Sequence, residues 1–145
     1  MSPAKSAAKP CVFCAIARGE APGAIVARAD GATAFLDVKP LFPGHVLVVP
    51  DVHAETLVDL EPARLGPLFG FVQRLAGAVR DAMGAEGTFV AMNNKVSQSV
   101  PHLHVHVVPR TKGDGLRGFF WPRTSYVDAA AMEETRARIA AALPS

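Results

Sequence analysis

Three histidines alternate with apolar residues in one short segment, and this pattern constrains the fold more than any other feature. The segment from His102 to Pro109 reads HLHVHVVP. Side chains of a β-strand point alternately to its two faces, so the spacing predicts a strand with all three imidazoles on one face. The imidazole face would carry His102, His104 and His106, and the face toward the core would carry Leu103, Val105 and Val107.

Three imidazoles on one strand face fit more than one kind of chemistry. They could chelate zinc, or supply a nucleophile and proton-transfer groups near neutral pH. They could also form a solvated polar face without a role. The other two histidines, His45 and His53, lie near a second apolar run. Spacing alone leaves these alternatives open.

The remaining apolar patterns predict short strands and two longer helices. A short helix is predicted over Val12–Arg18, ending at Gly19. Ala24–Ala29 and Thr33–Asp37 are predicted to form a hairpin that turns at Asp30-Gly31. Further strands are predicted over His45–Pro50 and Gly87–Asn93. A long amphipathic helix ending at Gly84 would bury Leu65, Leu68, Phe69, Val72, Leu75, Ala76, Val79 and Met83. A terminal helix would run from Asp128 to Leu143. This order predicts an α+β fold with an antiparallel sheet.

Length and charge limit the kinds of protein that this chain can be. With 145 residues, half of them hydrophobic, we expect a single domain over residues 11–145 with its C-terminal helix, preceded by a disordered tail over residues 1–10. The net charge of +2, from 15 basic and 13 acidic residues, argues against a nucleic-acid or membrane partner. No apolar run is long enough to span a membrane and no secretion signal is recognised, so we expect a cytoplasmic protein.

The two cysteines, Cys11 and Cys14, form a C-x-x-C pair. A structural disulfide is a poor interpretation for a chain that we place in the cytoplasm. The pair could be a redox couple, half of a metal site or two unrelated thiols, and the spacing does not choose among them.

The histidine segment, extended to QSVPHLHVHVVPR (Gln98 to Arg110), resembles the signature of the histidine-triad (HIT) family. Other stretches resemble that family in the same order: CVFCAIARGEAP (Cys11 to Pro22), AFLDVKPLFPGHVLVVP (Ala34 to Pro50), the DVH ending at His53, and Asn93-Asn94. The resemblance covers about residues 11–110 and is nearest to the zinc-containing, bacterial-type HIT hydrolases.

The resemblance implies a HIT-like α+β fold, with a five-stranded antiparallel sheet and two main helices, paired into a homodimer. It also implies a hydrolase or transferase that cleaves nucleoside 5′-phosphoramidates or related nucleotide conjugates at the α-phosphorus. Two alternatives stay open: a dinucleoside polyphosphate hydrolase or phosphorylase, and a nucleotide-binding module without catalysis.

The catalytic roles that the resemblance implies fall on the histidines and their neighbours. His104 would attack the α-phosphorus and form a covalent nucleotidyl-histidine. His106 would lie against the α-phosphate oxygens. His45 would help to hold the part of the site that relays charge. Gln98 and Ser99 would bind the α-phosphate and the leaving group, and His102 completes the triad.

The resemblance also implies a nucleoside pocket that favours purines. Its base-binding walls would be Phe13, Ile16, Phe35 and Val38, its ribose ligand would be Asp37, and Asn93 would lie beside the phosphate. Taken as residues alone, the four apolar side chains are more typical of an ordinary core than of a binding pocket. Asp37 could likewise serve turn chemistry at the end of a strand.

A zinc site is a further implication of the resemblance. Cys11, Cys14, His53 and His102 would hold Zn²⁺. Two thiolates and two imidazoles suit a tetrahedral ion, and four protein ligands with no open position indicate a structural role.

Two segments depart from the family pattern or lie beyond it. Only Lys95, Val96 and Ser97 separate Asn93-Asn94 from Gln98, whereas the commoner family pattern has a longer loop ending in Gly-Gln. The segment LRGFFWPR (Leu116 to Arg123) could be a leaving-group loop or part of a dimer interface. Its Phe, Trp and Arg content favours the interface.

Overall fold

A computed structural model describes residues 10–117 and 123–144. The chain divides into two compact units, the first ending at Asp114 and the second beginning at Gly115. Most of the predicted tail, and residues 118–122 of the LRGFFWPR segment, lie outside the described residues. The single domain over residues 11–145 therefore stays a prediction. Within the described residues, no helix is long and apolar enough to cross a membrane.

The first unit is a five-stranded antiparallel sheet with one long helix and one short helix. The elements in chain order are α1 (Val12–Ala17), β1 (Ile25–Ala29), β2 (Ala32–Leu36), β3 (Val46–Pro50), α2 (Leu65–Ala82), β4 (Gly87–Ala91) and β5 (Val105–Arg110). The strand order is β1-β2-β3-β5-β4. The second unit contains α3 (Ala129–Ala142). The predicted α+β class, with five antiparallel strands and two main helices, is confirmed.

Local sequence explains the ends of several elements. Asp30 and Gly31 have φ angles of 53° and 75°, the left-handed pair that a two-residue hairpin turn requires between β1 and β2. Gly84, with φ of 60°, follows the last residues of α2 and stops the helix. The side chain of Asp128 accepts a hydrogen bond from the Ala131 amide and caps the start of α3.

The two faces of the sheet bury separate clusters of apolar side chains. The α2 side holds Ala34, Val46, Val48, Leu103, Val105 and Val107 with Leu68, Phe71, Val72, Leu75 and Val79 of the helix. The α1 side holds Phe13, Ile16, Phe35, Leu47 and Val49. Alternate residues of β2 and β3 therefore serve opposite faces, as period-two patterning requires.

Three details of the sequence prediction are corrected. The strand predicted from His102 begins only at Val105, since His102 lies in a bend and Leu103 and His104 pair with no neighbouring strand. The strand predicted to Asn93 ends at Ala91. In α2, Phe71 is buried and Phe69 is 37% exposed, so Phe71 takes the place of Phe69 in the buried stripe that otherwise contains the predicted Leu68, Val72, Leu75 and Val79.

Candidate active site and metal centre

The histidine segment crosses the sheet beside α1, and its first member joins the cysteines. The Nδ1 atom of His102 lies 3.3 Å from the Cys11 Sγ and 3.4 Å from the Cys14 Sγ. The Cys14 Sγ is also 3.3 Å from Nδ1 of His53. One ligand atom from each of these four residues lies within 4.8 Å of all the others. The four residues predicted to bind zinc thus meet at one place.

The donor geometry of this cluster fits a tetrahedral zinc ion. Bonds of about 2.3 Å to sulfur and 2.0 Å to nitrogen would separate neighbouring donors by about 3.5 Å. The His102 Nε2–H donates to the Pro50 carbonyl oxygen at 2.8 Å, so the lone pair of the neutral ring lies on Nδ1, facing both thiols. Burial raises the pKa of the Cys14 thiol, with a hydrogen bond and the charge of Cys11 acting in the same direction. A bound cation would offset that cost.

The second histidine of the segment, His104, is held with one nitrogen free. Its Nδ1–H donates to the carbonyl oxygen of His102 at 2.7 Å. In the neutral ring the lone pair therefore lies on Nε2. The side chain is buried, and the ring of Phe13 meets it edge-on with centroids 5.1 Å apart. This geometry presets the tautomer that a nucleophilic imidazole needs.

A chain of hydrogen bonds leads from the loop before β3 to His106. The Leu41 amide donates to Nδ1 of His45 at 3.0 Å, so the neutral His45 ring carries its proton on Nε2. That Nε2–H donates to Nδ1 of His106 at 2.9 Å. The His106 proton must then lie on Nε2, which makes this nitrogen a hydrogen-bond donor. The chain explains why the buried His45 belongs to the same site.

Asp37 lies beside this chain, with its Oδ2 atom 3.7 Å from Nε2 of His45. Asp37, His45 and His106 also bring three potential metal ligands within 4.8 Å of one another. However, a metal on His45 Nε2 would move the ring proton to Nδ1, where it would oppose the Leu41 N–H. The backbone donor therefore favours a proton-donating chain over a second metal site.

Burial keeps His45 and His106, the two histidines of this hydrogen-bond chain, neutral. It lowers the pKa of His106 to about 4, and the charges of His104 and His45 act in the same direction while Asp37 opposes them. Burial also lowers the pKa of His45, again opposed by Asp37. At neutral pH both rings are uncharged, so they can donate and accept as the hydrogen bonds require.

The low pKa of His106 predicts a loss of stability in acid. Unfolding restores a pKa near 6.5, so the unfolded chain binds the proton first as the pH falls. The contribution is fully present above pH 6.5 and disappears between about pH 6.5 and 4, which amounts to about 3 kcal/mol. We expect urea unfolding of His106→Gln to depend less on pH than that of the wild type across this interval. Protonation of the metal ligands affects both proteins equally. If the unfolding free energies of the two proteins changed in parallel with pH, the low pKa assigned to His106 would be contradicted.

A cleft of about 350 Å³ opens beside His104 and His106, a size typical of small-ligand sites. Its lining consists of Val12, Phe13, Ile16, Pro22, Gly23, Phe35, Leu36, Asp37, Val38, Leu47, Ser99, Val100, His104 and His106. Phe13, Ile16 and Phe35 are also buried core residues, so the same side chains pack in the core and form a wall of the cleft. Val38 is 89% exposed and lies at the rim.

The cleft separates the site residues inferred from the sequence into two groups. Eight of them line it: Phe13, Ile16, Phe35, Asp37, Val38, Ser99, His104 and His106. Asn93 and Gln98 are not among its lining residues. The Asn93 side chain donates to the Ser97 carbonyl oxygen at 3.1 Å, and the Gln98 side chain donates to that of Glu55 at 2.6 Å.

Several lining residues escaped the sequence reasoning. Leu47 faces the cleft because β3 and β5 pair it directly with His106. Pro22 and Gly23 reach it from the loop that follows α1, and Val100 reaches it from the segment after Ser99. Only Leu47 has a sequence signal: it alternates with Val46 and Val48, which indicates that it faces the opposite side of the sheet. The neighbouring sequence does not show which strand pairs with it.

The short helix α1 is attached to the sheet at both ends. Its first turn carries Cys14, and the Cys11 Sγ accepts a hydrogen bond from the Cys14 amide at 3.3 Å. At its other end, the Arg28 guanidinium donates to the carbonyl oxygens of Ile16 and Ala17 and to Thr33 Oγ1. These contacts orient the helix that supplies Phe13 and Ile16 to the cleft.

Comparison with known proteins places this site in a family. The HIT domain family matches residues 18–113. An uncharacterized HIT-like protein of Mycobacterium tuberculosis is 41% identical over 109 residues, which are 74% of this chain and 76% of that protein. An Arabidopsis thaliana protein named adenylylsulfatase is 33% identical over 108 residues, 73% of this chain and 55% of that protein.

Solved structures agree with the fold. A HIT-family protein from Bacillus subtilis superposes with a TM-score of 0.86 at 31% identity, covering 94% of this chain and 99% of that one. A zinc-bound histidine-triad protein from Mycobacterium smegmatis superposes with a TM-score of 0.70 at 33% identity, covering 92% of this chain and 97% of that one. The resemblance inferred from the sequence is thereby confirmed, and the chain belongs to the histidine-triad (HIT) family.

Proposed function

We propose that this protein hydrolyses or transfers nucleotides, cleaving nucleoside 5′-phosphoramidates or related conjugates at the α-phosphorus through a covalent bond to His104. The observation that carries the proposal is the 2.7 Å hydrogen bond from His104 Nδ1–H to the His102 carbonyl oxygen, beside the cleft. It leaves the Nε2 lone pair available to attack phosphorus, and it orients the ring before substrate arrives.

The reaction divides into two displacements. In the first, a bond forms from His104 Nε2 to the α-phosphorus while the bond from phosphorus to the leaving group breaks. An amine leaving group takes up a proton from solvent as it departs, and so leaves as the neutral amine. The phosphorylated ring then carries a positive charge, which the His102 carbonyl stabilises through the Nδ1–H. In the second, water attacks phosphorus, the P–N bond breaks and His104 leaves as a neutral ring. The products are the nucleoside monophosphate and a proton.

The other histidines stabilise the phosphoryl group in this proposal. The Nε2–H of His106 donates to an oxygen of the α-phosphate, where negative charge concentrates during displacement. His45 and the Leu41 amide hold that ring in the donating tautomer. Ser99, exposed at the cleft, adds a hydroxyl for the phosphate or the leaving group.

The apolar part of the cleft suits a nucleoside, and we assign it to a purine. Phe13, Ile16, Phe35 and Val38 offer apolar contacts to the base. Asp37, whose side chain is 21% exposed, offers a carboxylate to the ribose hydroxyls. The homodimer and the cytoplasmic location that the resemblance implies stay predictions.

Cys11, Cys14, His53 and His102 would hold a structural zinc ion. The support is the convergence of their donor atoms, the His102–Pro50 hydrogen bond and the zinc-bound relative from M. smegmatis. When bound, the ion supplies a cross-link between α1, the segment after β3 and the histidine segment.

A second candidate is hydrolysis of dinucleoside polyphosphates by the same histidine. A bis(5′-nucleosyl)-tetraphosphatase of Schizosaccharomyces pombe is 38% identical over 89 residues, covering 60% of this chain and 49% of that protein. The cleft favours the first candidate, since its volume of about 350 Å³ and its apolar walls suit one small ligand. A binding module without catalysis is disfavoured by the intact hydrogen-bond chain around His104 and His106.

Product analysis separates these candidates. We expect adenosine 5′-phosphoramidate to release AMP with a kcat/KM at least about tenfold above that for diadenosine tetraphosphate, because the second nucleoside gains little binding energy. Chromatography of products at matched substrate concentrations measures both rates. A preference for the tetraphosphate would reverse the order of the two candidates. AMP binding without turnover of either substrate would support the binding module.

A further inference from the structure

The loop between β4 and Ser99 is bent without glycine. Lys95 and Ser97 have φ angles of 71° and 61°, in the left-handed region that favours glycine. Each such residue costs on the order of one hydrogen bond in free energy unless the surroundings compensate. Ser97 therefore holds a conformation that glycine would adopt without strain.

The side chain of Gln98 holds this bend with both ends of its amide. Its Oε1 atom accepts a hydrogen bond from the amide of the left-handed Lys95 at 2.8 Å. Its Nε2 atom donates to the carbonyl oxygen of Glu55 at 2.6 Å. Rotating Gln98 toward the cleft would break both bonds and leave the strained Lys95 without this support.

Two further contacts attach the loop to the same neighbouring segment. The Lys95 Nζ pairs with the Glu55 carboxylate at 2.8 Å, but both groups are exposed and contribute little. The Asn94 Oδ1 accepts a hydrogen bond from the Leu57 amide at 2.8 Å. Ser99, the residue after Gln98, lines the cleft with His104 and His106. The loop therefore decides where the Ser99 hydroxyl lies.

We propose that Gln98 is a positioning residue that does not contact substrate: its amide fastens the strained loop to Glu55 and so places Ser99 at the edge of the cleft. The inference rests on the proposed function for its catalytic consequence and replaces the substrate-binding role that the resemblance implies for Gln98. It predicts that the defect of a Gln98 variant can be repaired by relieving the strain of the loop.

The test is a rescue experiment. We expect Gln98→Ala to lower kcat/KM for adenosine 5′-phosphoramidate about tenfold, because the loop leaves its bent conformation. Adding Ser97→Gly should recover about fivefold of that loss, since glycine adopts a left-handed φ freely. Val96→Gly is the matched control: Val96 is exposed in the same loop and is not left-handed, so glycine there adds flexibility without relieving strain.

Hydrogen exchange over residues 93–99 gives a readout that does not depend on turnover. We expect faster exchange in Gln98→Ala, partial recovery with Ser97→Gly and none with Val96→Gly. An activity loss that Ser97→Gly does not repair, with exchange unchanged, would mean that Gln98 contacts the substrate and would overturn the inference. If the wild type shows no turnover, the proposed function fails, and the exchange pattern still decides whether Gln98 holds the loop.

Discussion

Replacing His104 with alanine is expected to lower kcat/KM for adenosine 5′-phosphoramidate on the order of 10⁴-fold, because the covalent intermediate can no longer form. Hydrogen bonds from His106 and Ser99 to the phosphate would remain. They only stabilise its negative charge, and they cannot replace the nucleophilic nitrogen of His104. The measurement is AMP release, together with rapid-quench mass spectrometry of the wild-type nucleotidyl adduct. That adduct should be absent from the variant.

The matched control is His106→Gln, which keeps the nucleophile and replaces the imidazole donor by an amide. We expect it to lose about 10²-fold in kcat/KM, as is typical when one donor to a developing oxyanion is weakened. Both variants should bind AMP and retain zinc, because neither residue belongs to the cluster of Cys11, Cys14, His53 and His102. If His104→Ala kept activity within tenfold of the wild type, the nucleophile would have to be another residue.

Loss of the metal cluster is the second change for which a large effect is expected. The wild type should contain one zinc ion per chain, and removing it should lower Tm by roughly 10–20 °C. The physical reason is that the four ligands come from three separated parts of the chain: α1 with its N-cap, the segment after β3 and the start of the histidine segment. Zinc content by elemental analysis and calorimetry with and without a chelator measure both quantities.

Variants on α1 separate the metal from the helix that carries it. Cys14→Ser should lose zinc and the associated stability, and it should bind AMP more weakly, because α1 supplies Phe13 and Ile16 to the cleft. Arg18→Ser serves as the control, since it removes an exposed ion pair with Glu20 next to the same helix and keeps all four ligands of the cluster. Equal Tm values for wild type with and without chelator would show that the cluster does not stabilise the fold.

The sequence predicted most of the local structure, because local structure depends on neighbouring residues. Period-two alternation identified the strands, and Asp30-Gly31 identified the hairpin turn that the left-handed φ angles confirm. The faces of residues 102–107 were also inferred correctly, although the strand starts only at Val105. Leu103 still packs on the α2 side and His102 still meets the cysteines near α1, so the alternation of faces survived that error.

Only the tertiary structure decided what each polar group does, because hydrogen bonds between distant residues depend on strand order and loop paths. His102 and His104 have the same side-chain chemistry, yet their partners differ. Pro50 orients the His102 Nδ1 atom toward the thiols, as a metal ligand would require, while the His102 carbonyl oxygen binds Nδ1 of His104 and leaves its Nε2 as the acceptor nitrogen. The Leu41 amide determines which nitrogen of His45 carries the proton, and so determines that His45 donates to His106. A backbone donor of this kind has no sequence signature. Gln98 turns from the cleft to Glu55 for the same reason: its partners are chosen by the bend of the loop, which residue types alone do not specify.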